Sequence, residues 1–251
     1  MRVLTGGVRV WIPGTGEARS EGTRTYRQLV CRENGSKGLA QTVSEYAPGR
    51  SLVRVNPVAE EALYVVSGHG TCRVSAHDYP LETGAGVFVP PGAEYSLENP
   101  GPDKLLIVAV TCPEDDLAHV VQQPIQKTDP RRKPPRRLVR EQERKIAVFG
   151  DRQFRVLVSD DLGCRNMTQF VGYIPLSKDP VHAHTYEESL YVLQGSGIVH
   201  AETESCQFTP GSTIYLPAGV THCVENPLAT AVRLLGVFQP AGSPAARYHK
   251  R

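Results

Sequence analysis

The chain repeats itself at an offset of 127 residues, without a gap, from about residue 26 to residue 113. Tyr46 falls on Tyr173, Pro48 on Pro175, and Glu60-Glu61 on Glu187-Glu188. Leu63-Tyr64-Val65 matches Leu190-Tyr191-Val192, and Gly68 and Gly70 match Gly195 and Gly197. Gly84, Pro90 and Gly92 fall on Gly211, Pro217 and Gly219, then Glu98-Asn99 on Glu225-Asn226 and Pro113 on Pro240. A period of this length, with turn-forming residues kept in both copies, means two tandem domains of one fold. The repeat sets the boundaries: 1–25 an N-terminal extension, 26–113 the first domain, 114–152 a linker, 153–240 the second domain and 241–251 a tail.

The class of fold follows from the punctuation. The chain has 23 Gly and 20 Pro in 251 residues, which favours many short strands and turns. Runs such as Thr168–Ile174, Leu190–Leu193 and Val232–Phe238 are rich in β-branched and aromatic residues and end at Gly and Pro turns. That pattern predicts an all-β sandwich or barrel, and 40% hydrophobic residues can fill two modest cores. A weak helical period crosses Glu114–Gln123. The stretch Asp129–Lys145, dense in Pro and Arg, is expected as a solvated, semi-extended linker, with an acidic partner as the minority reading. Val8-Arg-Val-Trp-Ile-Pro13 lies outside the repeat and is apolar enough to be a strand added to a sheet. That sheet can belong to the other domain or to another subunit, which leaves a homodimer open.

Chemistry concentrates in the second copy. His182 and His184 are two residues apart, so an extended strand turns both to one face. Glu188 lies four further on, roughly 13 Å away in a straight strand and too far to share an ion. The chain must therefore fold back within Thr185–Glu187. His222 arrives on a later strand through Leu216-Pro217-Ala-Gly219 and can close the site from the facing wall. Three imidazoles and one carboxylate make a ligand set for one divalent metal, with a position left for water or substrate. In the first copy the matching positions are Val55, Pro57 and Tyr95, and Glu61 alone survives. Val and Pro cannot ligate, so metal is expected in the C-terminal domain only. The first domain is expected as a structural partner, the sharper reading being a second small-molecule pocket built from Glu61, Tyr95 and Arg54.

Composition removes other classes. A net charge of +2 does not argue for nucleic acid, and no segment approaches membrane-spanning length. The start lacks the apolar run of a signal peptide, and six Cys without a CxxC point to a reducing cytoplasm. Cys223 neighbours His222 but is expected to face away from the metal.

The run His182-x-His184-x₃-Glu188-x₆-Gly195, followed by Gly211-x₅-Pro217-x-Gly219-x₂-His222-x₃-Asn226, resembles both signature motifs of the cupin superfamily. The chain as a whole resembles a bicupin whose C-terminal domain alone keeps its ligands. The resemblance covers about residues 26–113 and 153–240 and implies two tandem double-stranded β-helix, or jelly-roll, domains. It carries ligand roles to His182, His184, Glu188 and His222, with Fe, Mn, Ni or Zn as the ion.

Fold does not settle function. The leading expectation is a mononuclear metalloenzyme acting on a small oxygenated metabolite that chelates the metal, with a dioxygenase-type oxidoreductase as the best guess. The alternatives are a non-redox isomerase, cyclase or hydrolase, and a non-catalytic metabolite- or sugar-binding module. A storage protein is disfavoured by the intact ligand set. Glu188, the only acidic ligand, is the candidate for moving a proton. Asn166, Gln169 and Arg233 are candidate substrate contacts, and Tyr191, present in both copies, is expected to pack.

Overall fold

The computed structural model describes residues 1–122, 125 and 133–245. Each repeat folds as one large and one small antiparallel sheet facing each other. In the second repeat the strand Glu187–Gln194 lies between Val232–Gln239 and Thr213–Leu216, and Val232–Gln239 leads outward to Thr168–Ile174, Arg152–Val158 and Ala147–Phe149. The facing sheet contains Glu204–Phe208, Gly197–Ala201, His222–Asn226 and Ser177–Lys178. The first repeat follows the same plan, with Glu60–Ser67 between Leu105–Cys112 and Ala85–Val89. The repeated glycines have one cause in both copies. A Cβ on Gly70 would lie 2.3 Å from the Glu98 carbonyl oxygen, and one on Gly197 would lie 2.5 Å from that of Glu225.

The domains exchange strands. Arg9–Trp11, ahead of the first domain, pairs with Thr213–Leu216 of the second. Leu138–Arg140, ahead of the second domain, pairs with Ala85–Val89 of the first. The apolar N-terminal segment thus joins the other domain. The expected linker is solvated only in part: residues 133–136 are exposed, whereas Val139 is fully buried and Glu141 nearly so. Their apolar and polar partners lie in the packed domains, not in solvent. The weak helical period across Glu114–Gln123 is corrected too. Residues 114–122 form no helix, and His119–Val121 pairs with Val53–Val55 as an edge strand of that sheet. Gln123 and residues 126–132 lie outside the described residues, as do tail residues 246–251.

Four apolar clusters form, three of them large. Leu190, Leu216, Phe208 and Phe238 lie between the sheets of the second domain, and Leu63, Val65, Leu97 and Ile107 between those of the first. A third cluster joins Tyr64, Val108 and Val110 of the first domain to Val171, Tyr191 and Leu235 of the second. The large sheets are therefore buried on both faces, which is why their strands read as near-continuous apolar runs instead of alternating ones. All six cysteines are buried and free. No helix among the described residues is long and apolar enough to cross a membrane.

Two buried carboxylates lock the domains together. Glu187 accepts hydrogen bonds from the backbone N–H of Lys37 (2.9 Å) and Gly38 (2.6 Å) and from the Tyr215 hydroxyl (2.6 Å). Its repeat equivalent, Glu60, accepts from the backbone N–H of Arg165 (3.0 Å) and Asn166 (2.9 Å). Bonds to a charged group contribute about 1.5–3 kcal/mol each, enough to offset much of the cost of burying it.

The exchanged strand makes the second domain depend on a residue near the start of the chain. Trp11 is buried against Leu29, Val30 and Tyr215. Trp11→Ala should lower unfolding free energy by about 3–5 kcal/mol, read by chemical denaturation. A loss below about 1 kcal/mol would mean that the exchanged strand is dispensable.

Candidate metal centre

Backbone pairing brings the histidines together. His182 and His222 form an isolated bridge, with N–H to carbonyl distances of 3.0 and 2.8 Å in the two directions. The Gly219 N–H donates to the His184 carbonyl at 2.7 Å, tying the loop before His222 to the segment bearing the other two rings. Gly219 has a φ of +76°, a left-handed conformation that glycine adopts without a steric cost. The chain bends at Thr185 and Tyr186, within the interval required by the spacing, and enters the strand Glu187–Gln194. Alternation then sends Glu187 toward the other domain and Glu188 into the barrel.

One ring nitrogen from each of His182, His184 and His222 lies within 4.8 Å of the others, and all three residues are buried. His182 Nε2 and His184 Nε2 are 3.1 Å apart, and Glu188 Oε2 is 4.0 Å from His184 Nε2. Ligands about 2.0–2.1 Å from one ion and about 90–110° apart are separated by roughly 3.0–3.4 Å, so the imidazole spacing fits a shared cation. The tautomers agree. His182 Nδ1 donates to the Pro180 carbonyl (2.8 Å) and His222 Nδ1 to that of Val220 (2.9 Å). A carbonyl only accepts, so each neutral ring presents Nε2 as a lone pair. Lone pairs converging beside a carboxylate, away from water, call for a proton or a cation at their centre. This donor set fits a divalent metal.

Aromatic stacking fixes the third ring. Tyr186 stacks on His184 at 4.4 Å between centroids and on Phe238 at 4.3 Å. Phe238 meets Phe170 at 5.8 Å, and Phe170 meets Phe154 edge-on at 6.5 Å. Tyr186, Phe170 and Phe154 border a cavity of about 90 Å³ that also touches all four expected ligands, with Phe238 packed behind them in the core. Its polar side carries Arg152 and Asp179, 3.4 Å apart, and Asp179 Oδ2 lies 3.8 Å from His182 Nδ1. Sequence reading missed these residues, although comparing the repeats offered a signal. The positions of Tyr186, Phe238 and, by strand register, Phe170 are Ala59, Thr111 and Thr42 in the first copy. The aromatic residues accompany the candidate ligands in the second copy and have no aromatic counterpart in the first.

The three expected substrate contacts lie elsewhere. Arg233 points away from the cavity, where Nη2 bonds both carboxylate oxygens of Glu141 at 2.9 Å, because its strand position faces the linker. The same carboxylate accepts from Tyr64 at 2.8 Å and from Tyr173, whose phenol is raised in pKa by burial and then by that bond. Gln169 is fully buried toward the first domain, its amide 3.5 Å from the Ala62 carbonyl. Asn166 is exposed on the loop that gives its N–H to Glu60. Cys223 is buried outside the cavity lining, and Tyr191 lies in the interdomain core.

In the first domain the counterparts of the ligands bond to one another. The Tyr95 hydroxyl donates to Glu61 at 2.7 Å, and burial, then the Glu61 charge, raises that phenol well above its ordinary range. Arg54 pairs with Glu21 at 2.7 Å. Glu61, Tyr95 and Arg54, the polar groups expected to line a second pocket, thus each have a bonding partner.

Known proteins agree with this arrangement. The cupin domain family model matches residues 42–111 and 170–238. An uncharacterized protein of Methanocaldococcus jannaschii is 39% identical over 51 residues, which are 20% of this chain and 41% of that protein's length. Oxalate decarboxylase from Bacillus subtilis at pH 4.6 superposes with a TM-score of 0.74 at 13% identity, covering 93% of this chain and 77% of that one. A second structure, described by its substrate binding mode and a reaction specificity switch in oxalate decarboxylase, gives 0.73 at 14% identity over 92% and 76%. The shared fold, and a match that recurs in both halves over more than half of the chain, make this protein a member of the cupin family with two tandem cupin domains.

Proposed function

We propose that this chain is a mononuclear metal-dependent cupin enzyme acting on a small oxygenated metabolite that chelates its metal, with dioxygenase-type oxidation as the reaction. The observation that carries the reading is the convergence of His182, His184 and His222 beside Glu188 at the edge of a cavity. These four residues would hold the ion, which could be Fe, Mn, Ni or Zn. When bound, it would polarise substrate oxygens and, if redox-active, make O₂ chemistry available.

The protein's share of the work can be stated residue by residue. Backbone carbonyls at Pro180 and Val220 hold two imidazoles in the ligating tautomer. Tyr186 keeps the plane of His184. The apolar walls exclude water, which strengthens every electrostatic interaction inside the barrel. Glu188, the only acidic member of the set, is placed to take a proton from a substrate hydroxyl or enol and return it.

The N-terminal domain would serve as scaffold. It has no imidazole at the matching positions, and its Glu61 is engaged by Tyr95. Metal analysis of the purified protein should therefore find about one equivalent per chain. His182→Ala, His184→Ala or His222→Ala should each reduce that to about a tenth or less without unfolding the protein, because both cores form independently of the ion. Two tightly held equivalents, or unfolding on chelation, would contradict this.

Glu188→Gln should retain some metal yet lower turnover by roughly 100-fold or more, since the amide cannot accept the proton. The assay is O₂ consumption over a panel of diols, enediols and keto acids with each metal in turn. Near-full activity of the metal-loaded variant would leave Glu188 a ligand without a role in proton transfer. A panel with no turnover under any metal would leave a metabolite-binding module as the function.

A further inference from the structure

We infer that the substrate carries a flat apolar body, aromatic or conjugated, next to its chelating oxygens, and that Phe149 and Phe154 select for it. The inference rests on the metal-centre reading above and adds to it the class of molecule the site accepts.

The first observation is the aromatic wall. From His184 a continuous series of ring contacts runs through Tyr186, Phe238 and Phe170 to Phe154. Space has been made for it. A Cβ on Gly236 would lie 2.3 Å from the Phe170 ring, and one on Gly172 would lie 3.4 Å from it. The first repeat has Ala109 where the second has Gly236, and Thr42 opposite it where the second has Phe170. An aromatic wall seated on glycines presents flat faces and edges suited to another flat ring.

The second observation is a hairpin present in both domains with opposite chemistry at one position. Arg19–Glu21 pairs with the strand beginning at Arg24, matching Glu21 with Arg24 across a two-residue turn. Ala147–Phe149 pairs in the same way with the strand beginning at Arg152, matching Phe149 with Arg152. Glu21 and Phe149 are therefore structural equivalents. Glu21 joins Arg54 at 2.7 Å and Arg24 at 3.7 Å. Phe149 instead lines the cavity of the metal-bearing domain and is 37% exposed. Phe154, on the partner strand, lines the same cavity and pairs with Ala147. The first domain's hairpin carries an ion-paired carboxylate where the second domain's carries an apolar ring.

Charge is balanced on the remaining side. Arg152 is paired with Asp179 and donates to the Val224 carbonyl at 2.7 Å, so it brings no excess positive charge to hold a second anionic group of the substrate. The recognition left for the body of the substrate is apolar and planar.

The test uses two chelators that share one metal-binding head. Wild-type protein loaded with Mn(II) or Zn(II) is titrated with acetohydroxamate and with benzohydroxamate by calorimetry. Burial of the phenyl group should make benzohydroxamate bind about tenfold to a hundredfold more tightly. Phe149→Ala, on an exposed hairpin, should reduce the preference to roughly threefold or less with metal content unchanged, and Phe154→Ala should reduce the preference to the same extent. Phe149→Glu, which copies the first domain, should do the same. Equal affinities in the wild type, or a preference that survives in all three variants, would overturn the inference while leaving the metal centre standing. Failure of the loaded protein to bind either hydroxamate would overturn the metal-chelation reading and this inference with it.

Discussion

Glu187 and Glu188 are adjacent in one strand and must face opposite ways, and most of the molecule is arranged around that fact. Glu187 is buried against the first domain, satisfied by two backbone N–H groups and a phenol. Glu188 faces the imidazoles. A slip of one residue would place Glu188 among the amides of Lys37 and Gly38 and leave the metal ligands without their carboxylate. The register is therefore fixed from both sides of the sheet. The same alternation holds in the first domain, where Glu60 bonds the Arg165 and Asn166 amides and Glu61 points inward to Tyr95.

This double use explains how the two repeats can differ inside the barrel and share one fold. The outward residue of each pair serves the interface, where two backbone N–H groups, which do not depend on side-chain identity, supply much of its bonding. The inward residue serves the barrel interior, where chemistry can change locally. In the first barrel a Tyr95–Glu61 bond and a Glu21–Arg54 ion pair engage the polar groups. In the second, three imidazoles converge beside a cavity walled by aromatic rings. The exchanged strands Arg9–Trp11 and Leu138–Arg140 extend both large sheets, so neither domain is complete without the segment that leads into the other.

Much of the centre was legible without coordinates. The spacing of His182 and His184 set their common face, and the distance to Glu188 required a bend that the structure has at Thr185 and Tyr186. The repeat exposed the vacancy of ligands at Val55, Pro57 and Tyr95. Reading failed where a residue's role depends on which side of a sheet is covered. Arg233 looked like an anchor in an apolar strand, yet both faces of that sheet are buried and its outer face meets Glu141. Gln169 failed for the same reason, lying on the face turned to the other domain.

The sequence by itself determined the two-domain plan and the β architecture and marked His182, His184, Glu188 and His222 as candidate ligands, because each rests on local spacing, turn chemistry and the identity of side chains. Only the tertiary structure decided which cross-domain strand pairs with which sheet, which carboxylate locks the interface, and which rings wall the cavity. Those outcomes join residues far apart in the chain, such as Trp11 with Tyr215 and Phe154 with Phe170 and Phe238. Burial of both faces of a sheet removes the polar–apolar alternation that would otherwise mark a strand's inner side, so packing alone distinguishes cavity from interface.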